Sequence, residues 1–256
     1  MTQESSDDKL LVSRAGDALK IAEKRYSVKT FGFLNPHQRV VISRNVLPES
    51  GMSVIFDGGY DEAERTMLVC FPEYIIPERG EYMALLECTG RDIGRLSHRD
   101  YLGSLMGLGI VRENIGDILV LDDRTLIVVK RSSAEYILLN LKKIGSCGVN
   151  IRECSFDEAQ IPDRPTKELS GTVSALRLDS IVSMAIGASR AKSAELIRGG
   201  LVTVNWEPAE EVSLVLNEND VLSVRGYGRM KLSKIGGTTR KGRISVVVSR
   251  YIYKFF

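Results

Sequence analysis

Six segments between residues 80 and 160 carry apolar residues at two different periods, and their order leaves few possible folds. Apolar runs and strict alternation over a few residues predict strands, whereas apolar residues three and four positions apart predict helices. In chain order the segments are strand 82–88, helix 97–108, strand 117–121, strand 125–130, helix 133–144 and strand 149–154. This order predicts a split βαβ, ferredoxin-like domain.

The chain is longer than one domain of ordinary size, since 256 residues correspond to about two or three domains. Upstream, apolar spacing predicts a helix over 8–26, then a loop around Asn35-Pro36 and strands over 52–57 and 66–71. Downstream, segment 160–174 has two prolines and a glycine but no apolar period, which predicts a linker. The expected protein is α+β and multi-domain, divided into an N-terminal α/β region 1–79, a ferredoxin-like domain 80–160, a linker 161–174 and a C-terminal domain 175–256.

RNA-recognition-motif domains share the topology predicted for the middle domain, although a shared fold does not establish a shared function. Those domains stack bases on aromatic side chains of their central strands. Here strands 82–88 and 125–130 offer only Tyr82. If the middle domain binds RNA, we expect it to do so without that stacking face.

The C-terminal domain begins with two short predicted helices. Apolar residues Leu178, Ile181, Val182 and Ala185 form one stripe of the first helix, and Gly187 is suited to end it. Ser189 can cap the second helix, Gly199-Gly200 can end it, and residues 201–204 alternate as a strand. The polar residues near the helix starts are Arg177, Ser189, Arg190, Lys192 and Ser193, with Arg198 further along. A helix N-terminus with adjacent cations favours phosphate, so this corner is a candidate RNA contact.

The residues of this module resemble the small αL-type RNA-binding domain first known in ribosomal protein S-four. The resemblance is carried by Arg177-Leu178-Asp179, Ser189-Arg190, Leu196-Ile197, Gly200, Val202, Val204-Asn205 and the closing segment 219–224. It implies an RNA surface made of Arg177, Leu178, Asp179, Ser189, Arg190, Lys192, Ser193, Arg198, Asn205, Arg225, Arg229 and Lys231. Asp179 either contacts that surface or acts indirectly, by orienting Arg177 or capping the helix. Trp206, where the domain usually has a glycine, either stacks on a base or packs over the core.

Charge is distributed unevenly along the chain. Residues 1–165 hold 21 Lys+Arg against 25 Asp+Glu, residues 166–256 hold 14 against 8, and residues 225–256 hold nine basic residues and no acid. Alternation around Met230 and Leu232, with a return strand over 244–248, predicts a hairpin. We interpret it as a basic hairpin that extends the RNA surface, the alternative being an ordinary solvated hairpin.

The arrangement of regions and the segment VRGYGRMKL are similar to the bacterial YlmH-type family of RNA-binding proteins. This resemblance implies binding to structured RNA, either ribosomal RNA or tRNA on the ribosome, and association with the ribosome or its large subunit. The acidic N-terminal part is a candidate site for a protein partner. We expect a cytoplasmic protein without a membrane segment, and neither a cofactor nor a metal, because Cys70, Cys88, Cys147 and Cys154 form no CxxC pair.

Three short strings could indicate an enzyme, but we predict that the protein is not one. Ser189–Lys192 fits S-x-x-K without its partner motifs, and Lys231–Lys234 is similar to a synthetase loop without a nucleotide-binding domain. The segment FDGGYDEAER concentrates Asp57, Asp61 and Glu62 with Glu64 and Arg65, as a solvated turn or an active site would. The alternative function is therefore an RNA-modifying enzyme with an unrecognised catalytic N-terminal domain.

Overall fold

The computed structural model describes residues 6–159, 161 and 166–252. It divides into two compact units, one made of the described residues up to Ile161 and the other of those from Thr166 onward. The α+β, multi-domain fold class is confirmed, since both units combine helices with mainly antiparallel sheets. None of the helices in the described ranges is long and apolar enough to cross a membrane.

The N-terminal part of unit 1 is a three-stranded sheet covered by two helices. Its elements are α1 Ser6–Arg25, β1 Lys29–Leu34, α2 Pro36–Asn45, β2 Met52–Asp57 and β3 Thr66–Pro72, with sheet order β1-β3-β2. The loop expected around Asn35-Pro36 is instead the start of α2. Asn35 Oδ1 accepts from the Gln38 N–H and Gln38 Oε1 accepts from the Asn35 N–H, both at 2.9 Å. This is a capping box followed by proline in the first helical turn, where proline loses no hydrogen bond.

The middle part of unit 1 has the predicted ferredoxin-like order. Its elements are α3 Arg79–Tyr82, β4 Met83–Thr89, α4 His98–Gly107, β5 Ile115–Val120, β6 Thr125–Lys130, α5 Arg131–Asn140, β7 Lys143–Ile144, β8 Cys147–Gly148 and β9 Asn150–Cys154. The four-stranded sheet runs β5-β6-β4-β9 with antiparallel neighbours. Helices α4 and α5 cover one face through residues such as Tyr101, Leu105 and Ile137.

The other face of the middle sheet is covered by the N-terminal sheet. Phe33, Met67 and Val69 pack against residues of β4 and β6, namely Met83, Leu85, Leu126 and Val128. The face on which RNA-recognition-motif domains stack bases is therefore occupied here by protein. The predicted boundary between residues 79 and 80 does not separate two bodies, because the two sheets share one core.

Unit 2 is a six-stranded sheet with two helices on one face. Its elements are β10 Thr166–Val173, α6 Leu178–Ile186, α7 Arg190–Arg198, β11 Val202–Val204, β12 Glu207–Pro208, β13 Val221–Val224, β14 Gly228–Thr238 and β15 Ile244–Tyr251. The sheet order is β10-β15-β14-β13-β11-β12. Met230, Leu232, Val246 and Val248 face the helices and form the core with their apolar stripe.

The predicted linker 161–174 is mostly a strand, because β10 pairs with β15 along its whole length. Leu169, Gly171 and Val173 do alternate toward the helices, but glycine interrupts the apolar pattern. A Cβ at Gly171 would lie 2.7 Å from Cγ of Met184, so the glycine leaves room for α6. The residue that indicated a flexible linker is a close-packing position. Of the linker's prolines, Pro162 and Pro165 lie outside the described residues.

Candidate nucleic-acid interface

The first turns of α6 and α7 are joined by a buried carboxylate. Asp179 is 4% exposed and accepts a hydrogen bond from Arg177 Nε at 3.1 Å. It also accepts from Nε of Arg190 at 3.1 Å and from Nη2 of the same guanidinium. These bonds use one N–H of Arg177 and two of Arg190, whereas a guanidinium carries five. Both arginine side chains remain substantially exposed, at 40% and 54%, so they can present further donors to an anion.

The two arginines also determine the ionisation of Asp179. Burial by itself raises the pKa of this carboxyl, but the hydrogen bonds from Arg190 and Arg177 outweigh burial and hold the pKa below its usual value of 3.8. Asp179 is therefore charged at neutral pH. The cluster carries one net positive charge with its negative member on the inside, which is a suitable arrangement for phosphate.

The depressed pKa predicts how the stability of unit 2 depends on pH. A carboxyl with a lower pKa in the folded state stabilises the fold above its unfolded pKa, near 3.8, and this contribution is lost as pH falls through the folded pKa. We expect the Asp179→Asn variant to melt at a lower temperature than the native protein at pH 7, and the difference to shrink below pH 3.8. Melting followed by Trp206 emission measures this, and a difference that is constant across the pH range would contradict it.

Ser189 caps α7 as predicted, since its Oγ accepts from the Lys192 N–H at 3.2 Å. Lys192 is exposed and its Nζ lies 3.0 Å from Glu195 Oε2. Leu178 and Ser193, also predicted to contact RNA, are both 0% exposed. Leu178 belongs to the core, and Ser193 Oγ donates to the Ser189 carbonyl at 3.2 Å. Their side chains are thereby excluded from direct contact with RNA.

Asn205 serves the fold with both polar atoms of its side chain. Its Nδ2 donates to Asp220 Oδ1 at 2.8 Å, and its Oδ1 accepts from the Val221 N–H at 2.9 Å. The Asn205 backbone has φ 48° and Trp206 has φ 67°. Because Val204 pairs with Glu207, these two residues form a two-residue hairpin turn with the positive φ values of type I′. The tight turn is thus retained with tryptophan in place of glycine.

The remaining predicted cations lie elsewhere on unit 2. Arg198 is exposed at the end of α7, and Arg225 is exposed between β13 and β14. Arg229 and Lys231 alternate with core residues Met230 and Leu232, so they lie on the sheet face away from the helices. The structure therefore brings together Arg177, Arg190 and Lys192, and it places Arg229 and Lys231 on another face.

Lys234 is a cation of this second face that alternation alone does not predict. Counting from Lys231, position 234 falls on the core side. A register shift between Leu232 and Lys234 instead pairs Lys234 with Val247, an outward residue between core residues Val246 and Val248. A bulge cannot be located from a serine in an alternating sequence, which is why the residue was missed.

The predicted basic hairpin is formed by β14 and β15. Its turn is closed by the Thr239 N–H donating to the Arg243 carbonyl at 2.7 Å. Arg243 is anchored to β10 through Thr172, whose Oγ1 and carbonyl accept at 3.0 and 2.6 Å. Arg240 and Lys241 are exposed at the tip. The hairpin thus presents cations from a fixed turn, while Lys254 lies outside the described residues.

The charged segment 57–65 of unit 1 is a hydrogen-bonded loop, and its two best-connected carboxylates hold protein groups. Asp57 accepts from Arg79 Nε at 2.9 Å, Tyr82 Oη at 2.6 Å and the Gly59 N–H at 2.8 Å. Burial alone raises the pKa of Asp57, and the bonds from Arg79 and Tyr82 lower it below its usual value. A simple solvated turn, which the charge run suggested, does not describe this loop.

Two family models match the chain at the positions of these structures. A putative RNA-binding domain in YlmH matches residues 83–158, and an S4 domain matches residues 176–222. The resemblance to the S-four-type module is thereby confirmed. The match in unit 1 covers the ferredoxin-like sheet whose outer face is packed against the N-terminal sheet.

The chain is 33% identical over 246 residues to a protein of Bacillus subtilis (strain 168), the ribosome-associated protein quality control protein P2. The aligned region covers 95% of both proteins. This chain belongs to the YlmH family. A solved structure of cell division protein ylmH from Streptococcus pneumoniae matches with a TM-score of 0.51, 24% identity, and coverage of 62% of this chain and 98% of that one. That likeness supports the fold of the YlmH family member described here.

Proposed function

We propose that this protein is a non-catalytic RNA-binding protein that docks on the ribosome, or on its large subunit, by gripping structured ribosomal RNA with unit 2. The observation that carries the proposal is the buried Asp179 carboxylate that holds Arg177 and Arg190 at the start of two helices. Fixed arginine forks suit phosphate oxygens, and structured RNA is recognised largely by shape and backbone. Matches to two RNA-binding domain models and to a ribosome-associated relative support it.

The two units would divide the work. Unit 2 carries the positive charge, and the hairpin cations would widen its contact with the RNA backbone. Unit 1 is acidic, so a protein partner on the ribosome suits it better than a second polyanion. The bound RNA would be ribosomal RNA or tRNA held on the ribosome, and the protein would act in the cytoplasm. The proposal assigns no catalytic step to the carboxylates of segment 57–65, because Asp57 and Asp117 accept hydrogen bonds from the surrounding protein.

The proposal is tested by replacing Arg190 and Lys192 together with alanine. Loss of two charge-assisted phosphate contacts should weaken ribosome cosedimentation by about tenfold or more. It should also reduce the steepness of the dependence of log affinity on log salt by about 1.5 to 2, since each phosphate contact contributes about 0.7 to 0.9.

The matched control replaces Lys20 and Lys24 with alanine, which removes the same charge from exposed positions of α1 in unit 1. This control should cosediment with ribosomes as the native protein does. Circular dichroism at the assay temperature verifies that each variant is folded. Undiminished cosedimentation of the folded Arg190/Lys192 variant would refute the proposed grip.

A further inference from the structure

Trp206 occupies a backbone position that disfavours it. It is the second central residue of the β11–β12 turn and has φ 67°, in the left-handed region where a side chain with a Cβ is strained. Type I′ turns favour asparagine followed by glycine at these two positions. Asn205 satisfies the first preference and Trp206 violates the second. The chain keeps its largest type of side chain where glycine would suit the turn best.

The fold offers little compensation for this strain. Within the described residues, the hydrophobic core of unit 2 and the side chains packed against it do not include Trp206. The indole Nε1–H is buried and has no hydrogen-bond acceptor among those residues, which adds a second local cost. The two functions that sequence allowed for this tryptophan were core packing and base stacking. Its position outside the core argues against the first.

The neighbourhood of the turn is cationic on the same sheet. Val221 donates its backbone N–H to Asn205 Oδ1 and accepts from the Asn205 N–H, at 2.9 and 2.8 Å. Across the next strand, Val221 pairs with Lys231, which faces away from the helices. An aromatic ring beside backbone-binding cations is the combination by which proteins hold unpaired nucleotides.

We propose that Trp206 stacks on an unpaired base of the bound RNA, and that the strained turn exists to present its ring. This inference rests on the proposed function and sharpens it, because it requires an RNA with a single-stranded loop or bulge beside the phosphates gripped by Arg177 and Arg190. Backbone strain at a position that folding does not need is typical of binding sites. The indole N–H would find its acceptor on the RNA.

The sequence allows a direct test, since Trp206 is the only tryptophan in the chain. Its emission is measured during titration with a stem–loop RNA, and separately with a blunt duplex of the same stem. We expect quenching by the stem–loop and unchanged emission with the duplex, although both bind through phosphates. Binding of the stem–loop without any change in emission would overturn the stacking role and leave the phosphate grip standing.

Two variants provide an independent measurement. Trp206→Gly should lower affinity for the stem–loop by about five- to 150-fold, the usual range for one stacked base, and leave affinity for the duplex within about twofold. Trp206→Phe retains a ring and should retain most of the stem–loop affinity. Equal stem–loop affinity of the glycine variant and the native protein would also overturn the inference.

The glycine variant is not expected to unfold, because glycine is favoured at this position of a type I′ turn. A fall in melting temperature of more than about 8 °C would instead show that the indole packs within the fold, which contradicts the inference. If neither RNA binds with a salt-dependent affinity, the proposed function fails and the stacking role fails with it.

Discussion

Replacing Asp179 by asparagine is expected to lower the affinity for RNA by about five- to 150-fold, although it removes a negative charge from a basic surface. The native carboxylate accepts hydrogen bonds from Arg177 and Arg190, which fixes both guanidinium groups before RNA arrives. Binding then avoids the entropy of ordering two long side chains, about 0.5–1.5 kcal/mol each. Asparagine is uncharged and accepts through one oxygen only, so the arginines regain their rotamers.

Charge alone predicts the opposite direction, because a more positive surface attracts a polyanion more strongly. The sign of the change therefore separates a positioning carboxylate from one that merely neutralises its neighbours. The matched control is Glu195→Gln, which removes a negative charge from an exposed position of α7. We expect that variant to bind RNA as tightly as the native protein or slightly more tightly.

The measurement is the dissociation constant for a ribosomal RNA fragment at one fixed salt concentration, taken well below the melting temperature of each variant. If Asp179→Asn binds as tightly as Glu195→Gln, the two arginines do not need the buried carboxylate. The proposed geometry of the grip would then be wrong, while RNA binding by unit 2 would stand.

Local signals predicted the elements whose stability is local. Strands 52–57 and 125–130 match β2 and β6 to the residue, and Gly187 ends α6 with φ 67° as its position suggested. Asn35-Pro36 was misread because the same pair favours a turn and a helix start, and only Gln38 distinguishes them. β10 was missed because Gly171, needed by Met184, removes an apolar residue from its pattern.

The charged residues of the candidate site could be found in the sequence, but their orientations could not. Ser193 follows Ser189 by one helical turn, and only the packing of α7 shows that it is buried. The pairing of Asp179 with Arg190 spans 11 residues and depends on how two helices meet. The covering of the middle sheet depends on sheet-to-sheet packing, to which no local period corresponds.

The largest effect on stability is expected from Asp117→Ala in unit 1, which should lower the free energy of unfolding by about 3–5 kcal/mol. Asp117 is 7% exposed. Its carboxylate accepts from Tyr60 Oη at 2.6 Å, from the Glu64 N–H at 2.8 Å and from the Arg65 N–H at 3.0 Å. Alanine removes all three acceptors from a loop that is largely enclosed by the two sheets.

The cations beside Asp117 increase this cost. Arg65 is pinned by backbone carbonyls, with Nη2 2.6 Å from the Phe33 oxygen and Nε 3.0 Å from the Ile115 oxygen. Burial and the like charge of Arg112 lower the pKa of Arg65 to about 10, and Asp117 opposes that shift. Without the carboxylate, two partly buried guanidinium groups lose their nearest counter-charge, which is among the most destabilising single changes in proteins.

Urea and thermal unfolding followed by far-ultraviolet circular dichroism measure the effect, with an expected fall in melting temperature of about 6–20 °C for a unit of this size. Emission of Trp206 reports unit 2 separately, so its transition and the RNA affinity of the variant should remain native. The matched control is Asp61→Ala, an exposed carboxylate of the same loop, expected to change stability by less than about 0.5 kcal/mol. If both variants unfold alike, the loop is held by the sheets alone. If Asp117→Ala stays stable but stops binding RNA, this carboxylate belongs to the functional surface, and its geometry in unit 1 has been given the wrong purpose.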